Sequence, residues 1–304
     1  MMKIVVAGAT GFIGSALVKH LTQQGHTLTL LTRAKSAPAP AGATSIVWQA
    51  GATADWRRAL ETVVAAADGV INLAGEPIAA GRWTETRKRQ LRSSRIDTTR
   101  ALVDAIAGAP GGVKFLINGS AVGYYGARGD ELVTEADPPG SDFLARLCRE
   151  WEAEALRAEA HGVRVALLRT GIVLGRGGAL AKMIPPFKFF LGGPLGSGRQ
   201  WMPWIHLEDE VGLIDFLLHS SARGPVNATA PEPATMKEFC ATLGKVMRRP
   251  CWAPVPAFVL RAALGELAEV LLCGQRAVPA EAKRLGYHFR YPNLRPALEN
   301  IIAQ

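Results

Sequence analysis

The sequence predicts an α/β protein with a doubly wound parallel sheet and a small C-terminal α/β lobe. In the N-terminal half, short β-branched runs alternate with helical patterns, which is typical of parallel βαβ units. Beyond about Thr170, glycine and proline become frequent, which indicates a change of architecture. The 304 residues, 48% of them hydrophobic, suffice for one large domain (1–170, with later segments contributing) and a smaller substrate-side lobe (171–304).

Strands and helices alternate through the first of these domains. The predicted strands are Ile4–Ala7, Thr27–Leu31, Ser45–Trp48, Gly69–Leu73, Lys114–Asn118 and Arg164–Leu168. The predicted helices between them are Ile13–Gln24, Trp56–Ala66, Thr84–Ala107 and Phe143–Ala160. Gly25 stands at the C′ position that ends the first helix. Because right-handed crossovers join parallel strands, we expect a ligand crevice beyond the carboxyl ends of the strands.

The smaller lobe begins with a segment rich in glycine and proline. Gly171–Gly198 reads GIVLGRGGALAKMIPPFKFFLGGPLGSG, which predicts long irregular loops that cover the crevice. Helices are predicted to return at Leu207–His219, Thr235–Met247 and Phe258–Leu272.

A glycine triplet lies between the first predicted strand and the first predicted helix, in VVAGATGFIGSALV. Gly8 permits a tight turn, Gly11 removes a Cβ that would block a diphosphate, and Gly14 lets helix and strand pack closely. The helix N-terminus offers unpaired N–H groups and a partial positive charge to that diphosphate. The strand–turn–helix context predicts a Rossmann-type dinucleotide site, with a purely structural glycine turn as the alternative. The predicted cofactor contacts here are Gly8, Thr10, Gly11, Phe12, Ile13 and Gly14.

The end of the second predicted strand indicates which dinucleotide binds. NAD enzymes place Asp or Glu there for the ribose 2′-hydroxyl, whereas this chain reads LTLLTRAK, with Thr32, Arg33 and Lys35. A guanidinium can grip a 2′-phosphate for about 1.5–3 kcal/mol, or about one to two decades of affinity. The segment therefore predicts NADP(H) as cofactor, with a solvated loop role for Arg33 as the alternative.

Composition excludes several other classes of protein. The apolar runs are far shorter than the roughly 20 residues of a membrane span. The N-terminus runs directly into a strand without the regions of a signal peptide, so we expect a cytoplasmic protein. Four cysteines lie far apart without a C-x-x-C pair, which suits reduced thiols and argues against structural zinc. The net charge of +9 comes without a nucleic-acid motif, so it favours a small phosphate-bearing ligand over nucleic acid.

With these segments in place, the chain resembles the extended short-chain dehydrogenase/reductases, which include nucleotide-sugar epimerases and dehydratases. GATGFIG is similar to their glycine motif, and INLAGEP to the fourth-strand segment that flanks the cofactor, here Leu73, Ala74 and Gly75. LINGSAVGYYG resembles the fifth-strand segment, which puts the catalytic Ser or Thr of that group on Ser120. LLRTGIVLG and WIHLEDEV resemble later segments on the substrate side of the crevice, so the resemblance covers nearly the whole chain.

The sequence departs from that family where catalysis takes place. The family uses a Tyr and a Lys four residues later, and the Lys lowers the pKa of the Tyr. Aligned on Glu152, these positions hold Leu144 and Cys148, and no tyrosine lies between Tyr125 and Tyr287.

These departures resemble one atypical subgroup, labelled "epimerase family protein". Its members retain the Ser, replace the Lys by Cys and place Arg where the superfamily has Asn, here Arg95 in SSRIDTT. The tail GQRAVPAEAKRLGYHFRYPNLRPALENI resembles the C-terminal domain of that subgroup. This resemblance implies NADP binding and leaves substrate and reaction open.

Several side chains remain candidates for chemistry, each with a structural alternative. Ser120 can polarise a substrate carbonyl or serve as a turn and capping residue. Tyr124 and Tyr125 can replace the missing phenol or pack against the cofactor or the loop. His206, in a predicted loop, is a candidate general acid or base or a structural hydrogen-bonding residue. Cys148 can be reactive beside an arginine, but we favour a small inert apolar role for it.

Three further residues are predicted cofactor contacts from their position alone. Glu76 and Arg82 follow INLAG and face the ribose or phosphates of the nicotinamide side. Arg95 reaches the cofactor or an anionic substrate, or belongs to a solvated basic helix face with Arg87, Lys88, Arg89 and Arg92.

Two functions compete on this evidence. The first is an NADP(H)-dependent oxidoreductase or epimerase-like enzyme that acts on an unidentified small molecule. The second is a non-catalytic NADP(H) sensor or scaffold, which the lost Tyr–Lys dyad favours. The oligomeric state is open, with a homodimer among the candidates.

Overall fold

The computed structural model describes residues 1–33, 39, 41–47, 54–109 and 111–303. Its strands are β1 (Lys3–Ala7), β2 (Thr27–Thr32), β3 (Ala43–Val47), β4 (Gly69–Asn72), β5 (Phe115–Ala121), β6 (Leu132–Val133), β7 (Arg164–Thr170), β8 (Ile172–Leu174), β9 (Trp201–Met202), β10 (Trp204–His206), β11 (Gly224–Ala228), β12 (Ala234–Thr235) and β13 (Arg276–Ala277). Its helices are α1 (Phe12–Gln23), α2 (Ala54–Ala65), α3 (Glu85–Ala107), α4 (Phe143–Leu156), α5 (Gly178–Lys188), α6 (Leu207–His219), α7 (Met236–Met247), α8 (Ala257–Leu264), α9 (Leu267–Leu272), α10 (Ala280–Arg284) and α11 (Leu294–Ala303).

Seven strands form one parallel sheet in the order β11-β7-β5-β4-β1-β2-β3. The strand order reverses between β1 and β4, which is the switch point where ligands bind in such sheets. Ala7 pairs with Leu31 of β2 on one side and with Asn72 of β4 on the other. The loops after these three strands therefore leave the sheet at one level.

Alternate residues of each central strand enter different cores because successive side chains point to opposite faces. Val6 joins a core with Leu17 of α1 and Leu213 of α6, whereas Val5 joins a core with Leu102 of α3. The sheet is thus covered on both faces. Each fully buried aliphatic side chain contributes about 1.5–3 kcal/mol.

The sequence predictions of the regular elements are largely confirmed. All six predicted strands and the first four predicted helices are present, with ends shifted by a few residues. Gly25 has φ +81° immediately after the Gln24 C-cap, as expected at C′. The fourth predicted helix ends as α-helix at Leu156 and continues as a 3₁₀ turn, Arg157–His161. Trp48 and Lys35 lie outside the described residues.

The prediction of irregular loops over Gly171–Gly198 is wrong in part. The segment contains β8 and α5, and α5 buries Leu180 and Phe187 in a core that it shares with α7 and α11. The sequence pattern did not predict this helix, because glycine and the pair Pro185–Pro186 are typical of loops.

Two further elements differ from the sequence prediction. The single helix predicted over Phe258–Leu272 is two helices, α8 and α9, because Gly265 at φ +60° ends the first. Strand β11 was not predicted. Its residue Pro225 is tolerated because β11 is an edge strand of the sheet. Within the described ranges, no helix is long and apolar enough to cross a membrane.

Candidate functional site

A cleft opens at the carboxyl ends of β1, β2 and β4, beside α3. Its lining includes predicted cofactor residues from three loops and further side chains of α3; among them are Gly8, Thr10, Gly11, Thr32, Arg33, Leu73, Ala74, Gly75, Glu76, Arg87, Gln90 and Ser94. Most of the residues that the sequence assigns to a dinucleotide therefore lie together in one cleft.

Two glycines of the triplet are required by the fold itself. Gly8 has φ +80°, and a Cβ there would lie 2.5 Å from the carbonyl carbon of Leu73. A Cβ on Gly14 would lie 2.1 Å from the carbonyl oxygen of Gly8. Gly11 is exposed, and its Cβ would meet only that oxygen, at 3.3 Å. The protein thus has little internal need for glycine at position 11, which suits close approach by a ligand.

The N-terminus of α1 faces the cleft without a side-chain cap. Gly11 is the N-cap and provides no side-chain hydrogen bond to the first turn. Phe12 packs against the segment between β8 and α5, where a Cβ on Gly175 or Gly177 would lie 2.8 Å from its ring. Gly175 and Gly177 therefore let the backbone of this segment approach the start of α1. Ile13 packs against the core.

Arg33, at the end of β2, does not extend freely into solvent. Its side chain is 79% exposed, and its guanidinium pairs with the carboxylate of Glu76 from the β4 loop. Arg87 of α3 pairs with the same carboxylate at 3.3 Å, although its own side chain is only 15% exposed. Hydrogen bonds from Arg33 and then Arg87 hold the pKa of Glu76 below its usual range. The sequence analysis named Arg87 only within the alternative of a solvated helix face and did not predict its place in the cleft.

Arg95 stabilises the loop after β4 through buried contacts. It is 8% exposed and donates to the carbonyl oxygens of Glu76 and Leu91, both at 3.1 Å. A Cβ on Gly75 would lie 2.9 Å from its Cζ, and its guanidinium lies over the Trp151 ring. Burial lowers the pKa of Arg95. These contacts favour a role in shaping the loop.

A buried amide pair fixes the same loop from the strand side. Asn72 Nδ2 donates to Asn118 Oδ1 at 2.7 Å and to Thr99 Oγ1 at 2.9 Å. Asn72 Oδ1 accepts the N–H of Ala74 at 3.2 Å. These residues escaped sequence reasoning because their partners lie tens of residues apart.

Ser120 lies in a buried charged network. Its hydroxyl donates to Oε1 of Glu152 at 2.6 Å, and Arg169 grips both oxygens of that carboxylate at 2.9 and 2.8 Å. All three residues are at most 6% exposed. Burial alone would lower the pKa of Arg169, but Glu152 raises it above its usual range. The Ser120 hydroxyl is therefore hydrogen-bonded inside an ion-paired network.

The two tyrosines after β5 take different positions in the 3₁₀ turn Val122–Tyr125. Tyr125 is fully buried. Its hydroxyl donates to Asn227 at 2.7 Å and accepts from Arg169 at 3.0 Å, and burial raises its pKa to about 12. Tyr124 is half-buried, with the Arg169 guanidinium 3.5 Å from its ring centroid. The contacts of Tyr125 favour a structural role.

Cys148 and Leu144 fill the places of the missing dyad with apolar packing. Burial raises the pKa of the Cys148 thiol to about 12, and the residue is 4% exposed. Leu144 packs on the turn, where a Cβ on Gly123 would lie 3.3 Å from its Cβ. This supports the inert interpretation of Cys148.

His206 lies away from the cleft lining and outside any loop, so its predicted loop position is wrong. It ends β10 and is the N-cap of α6, where Nδ1 accepts the N–H of Glu208 at 3.1 Å. The ring is 2% exposed, lies 4.0 Å from the Tyr291 ring, and has its pKa lowered by burial. This favours the structural role for His206. Arg82 is turned to α8, where it donates to the carbonyl oxygen of Ala262 at 2.6 Å.

Comparison with known proteins covers the whole chain. The model of the NAD dependent epimerase/dehydratase family matches residues 4–229, and a domain of unknown function (DUF1731) matches residues 255–301. The chain is 44% identical to "Epimerase family protein SDR39U1 homolog, chloroplastic" of Arabidopsis thaliana, over 99% of this chain and 87% of that protein. It is 40% identical to epimerase family protein YfhF of Bacillus subtilis, over 99% and 98% of the two chains.

Solved structures agree with these sequence matches. The crystal structure of human epimerase family protein SDR39U1 with NADPH superposes with a TM-score of 0.88 at 36% identity, over 100% of both chains. A UDP-glucose 4-epimerase from Thermotoga maritima gives a TM-score of 0.81 at 17% identity over 99% and 98% of the chains, which shows a common fold alone. The predicted Rossmann-type fold and the predicted resemblance are confirmed. The chain belongs to the NAD dependent epimerase/dehydratase family.

Proposed function

We propose that this chain binds NADP(H) in the cleft above Gly8 and acts as an atypical short-chain dehydrogenase/reductase on a small molecule. The observation that carries the proposal is the meeting of the Gly8 turn, the uncapped start of α1 and Arg33 in one cleft. The NADPH bound to the human relative supports the choice of cofactor.

The residues of the cleft fit that cofactor. The first amides of α1 suit a diphosphate, and the exposed Gly11 leaves room for it. Arg33, with no carboxylate after β2 in the sequence LTRAK, suits a 2′-phosphate. Leu73, Ala74 and Gly75 offer backbone beside the cofactor, held from below by Arg95. When bound, NADP(H) would supply hydride transfer.

Isothermal titration with NADPH, NADP⁺, NADH and NAD⁺ tests this proposal. The wild type is expected to prefer the phosphorylated pair, and Arg33→Ala to lose about 1.5–3 kcal/mol of NADPH binding, or one to two decades. Arg295→Ala, on the exposed side of α11, is a matched control that should change nothing. Equal binding of NADH and NADPH by wild type and Arg33→Ala would refute the cofactor assignment.

The proton-handling group of such an enzyme is proposed to be Tyr124. The Ser120 hydroxyl donates its hydrogen bond to Glu152, whereas Tyr124 is half-buried and its ring lies under the Arg169 guanidinium. General acid–base catalysis contributes about 10²–10⁴-fold, so Tyr124→Phe should lower turnover by at least about a hundredfold. NADPH oxidation with a panel of carbonyl compounds measures this, with Tyr291→Phe as a control.

A non-catalytic NADP(H) sensor is the second candidate. It is favoured by the sealed, salt-bridged environment of Ser120 and by the apolar packing of Leu144 and Cys148. In that case NADPH binds and no carbonyl compound is reduced.

We further propose that residues 171–304 form a substrate-side lobe, apart from α6 and β11, which join the main sheet and its core. We also propose a cytoplasmic location. The four cysteines, Cys148, Cys240, Cys251 and Cys273, are all free, which suits a reducing compartment. Cell fractionation with a tagged chain tests the location.

A further inference from the structure

The carboxylate of Glu76 bridges two guanidinium groups at the mouth of the cleft. Arg33 reaches it from the end of β2, and Arg87 reaches it from the first turn of α3. The backbone of Glu76 is fixed as well, because its N–H donates to Ser94 Oγ at 3.1 Å and its carbonyl oxygen accepts from Arg95. These contacts therefore fix the position of the Glu76 carboxylate.

The guanidinium of Arg87 is oriented by contacts that do not depend on Glu76. Its Nη2 donates to the carbonyl oxygen of Pro77 at 2.6 Å, and its Nη1 donates to Gln90 at 3.2 Å as well as to Glu76. Its Nε is buried without a hydrogen-bond partner within the described residues. The Pro77 and Gln90 oxygens thus orient the guanidinium, and a phosphate oxygen in the place of the Glu76 carboxylate would accept a charge-assisted hydrogen bond from Nη1.

The sheet register places this cluster where a 2′-phosphate would lie. Ala7 pairs with Leu31 and with Asn72, so Arg33 and Glu76 leave the sheet on either side of Gly8. The cluster contains Arg33, Arg87 and Arg95 against the single charge of Glu76, a net charge of about +2 from three cations and one anion. A phosphate monoester carries about −1.5 to −2 near neutral pH.

We propose that Glu76 is an internal counter-anion, which keeps Arg33 and Arg87 together until the 2′-phosphate of NADP(H) replaces its carboxylate on both guanidinium groups. This rests on the proposed cofactor function and deepens it. It makes Arg87 a second phosphate ligand and makes Glu76 a residue that limits the preference for NADP(H) over NAD(H). It also places Glu76 beside the 2′-phosphate and not on the nicotinamide side that the sequence analysis expected. A surface ion pair without ligand role is the competing explanation, and it predicts no selective effect on the phosphorylated ligand.

The experiment compares binding of 2′,5′-ADP with 5′-ADP, and of NADPH with NADH, by isothermal titration. Glu76→Gln keeps an acceptor for Arg33 but removes the charge, so affinity for NADPH and 2′,5′-ADP should rise about five- to tenfold, from the loss of one like charge nearby. Affinity for NADH and 5′-ADP should stay within about twofold. Glu85→Gln, whose side chain is 85% exposed on the same helix turn as Arg87, is the matched control and should leave the ratio unchanged.

Arg87→Met should weaken binding of NADPH and 2′,5′-ADP at least about tenfold while NADH binding persists. Arg89→Met, an exposed neighbour on α3, controls for the loss of one positive charge. Circular dichroism of each variant checks folding. Weaker or unchanged NADPH binding by Glu76→Gln, or unchanged binding by Arg87→Met, would overturn the inference while the cofactor proposal survives. Absence of NADPH binding by the wild type would overturn both.

Discussion

Neutralising Glu152 should destabilise this protein more than any surface substitution, because it leaves a buried guanidinium without its counter-charge. The side chains of Arg169 and Glu152 are 4% and 7% exposed, and two hydrogen bonds of 2.9 and 2.8 Å join them. Glu152→Gln preserves the shape of the side chain and removes the charge. Breaking a buried pair from one side costs about 3–5 kcal/mol.

That loss corresponds to a fall in Tm of about 5–8 °C, at about 1.6 °C per kcal/mol for a chain of 304 residues. Differential scanning calorimetry at pH 7 measures it. Glu299→Gln, which breaks the exposed Arg295 pair on α11, should shift the free energy of unfolding by about 1 kcal/mol at most. Ser120→Ala should cost about 1–3 kcal/mol, since it removes one hydrogen bond to a charged acceptor.

The double variant Glu152→Met with Arg169→Met separates charge from packing. It removes both charges together, so its cost should be smaller than the sum of the two single substitutions. A Tm of Glu152→Gln within about 2 °C of the wild type would refute the claim that this carboxylate balances Arg169.

Three further outcomes follow from the described contacts. Gly14→Ala should destabilise the fold by several kcal/mol in chemical denaturation, because its Cβ would lie 2.1 Å from the Gly8 carbonyl oxygen; normal stability would contradict that packing. Burial raises the pKa of Glu210 to about 8 from 4.5, so between these pH values the folded state keeps a proton that the unfolded state loses. The contribution of Glu210 to the free energy of unfolding should therefore fall as the pH rises from about 4.5 to about 8. Denaturation at pH 5.5 and 8 should show this fall, and Glu210→Gln should reduce it. Thiol-labelling reagents should modify exposed Cys273 first and reach Cys148 only on unfolding, and mass spectrometry of labelled peptides would expose the reverse order.

The parts of the site that sequence predicts well are those with short-range causes. Gly8, Gly14 and Arg33 lie within one βαβ unit, where the turn, the helix packing and the strand end fix the residue type. Arg87 was harder because a run of basic residues on a helix does not reveal which of them turns inward. Helix α5 was hidden by its prolines, which local rules assign to loops.

The sequence did not predict the network around Arg169, for a different reason. Its members come from β5, α4 and β7, and the register that sets Ser120 beside Arg169 exists only once those strands pair. The same network bears on the missing Tyr–Lys dyad. Cys148 is buried at the position of the Lys, and the carboxylate of Glu152 is paired with Arg169, so the α4 residues beside Ser120 are engaged in core packing and an ion pair. We therefore propose proton transfer from the turn after β5, where the Arg169 guanidinium lies over the ring of the half-buried Tyr124.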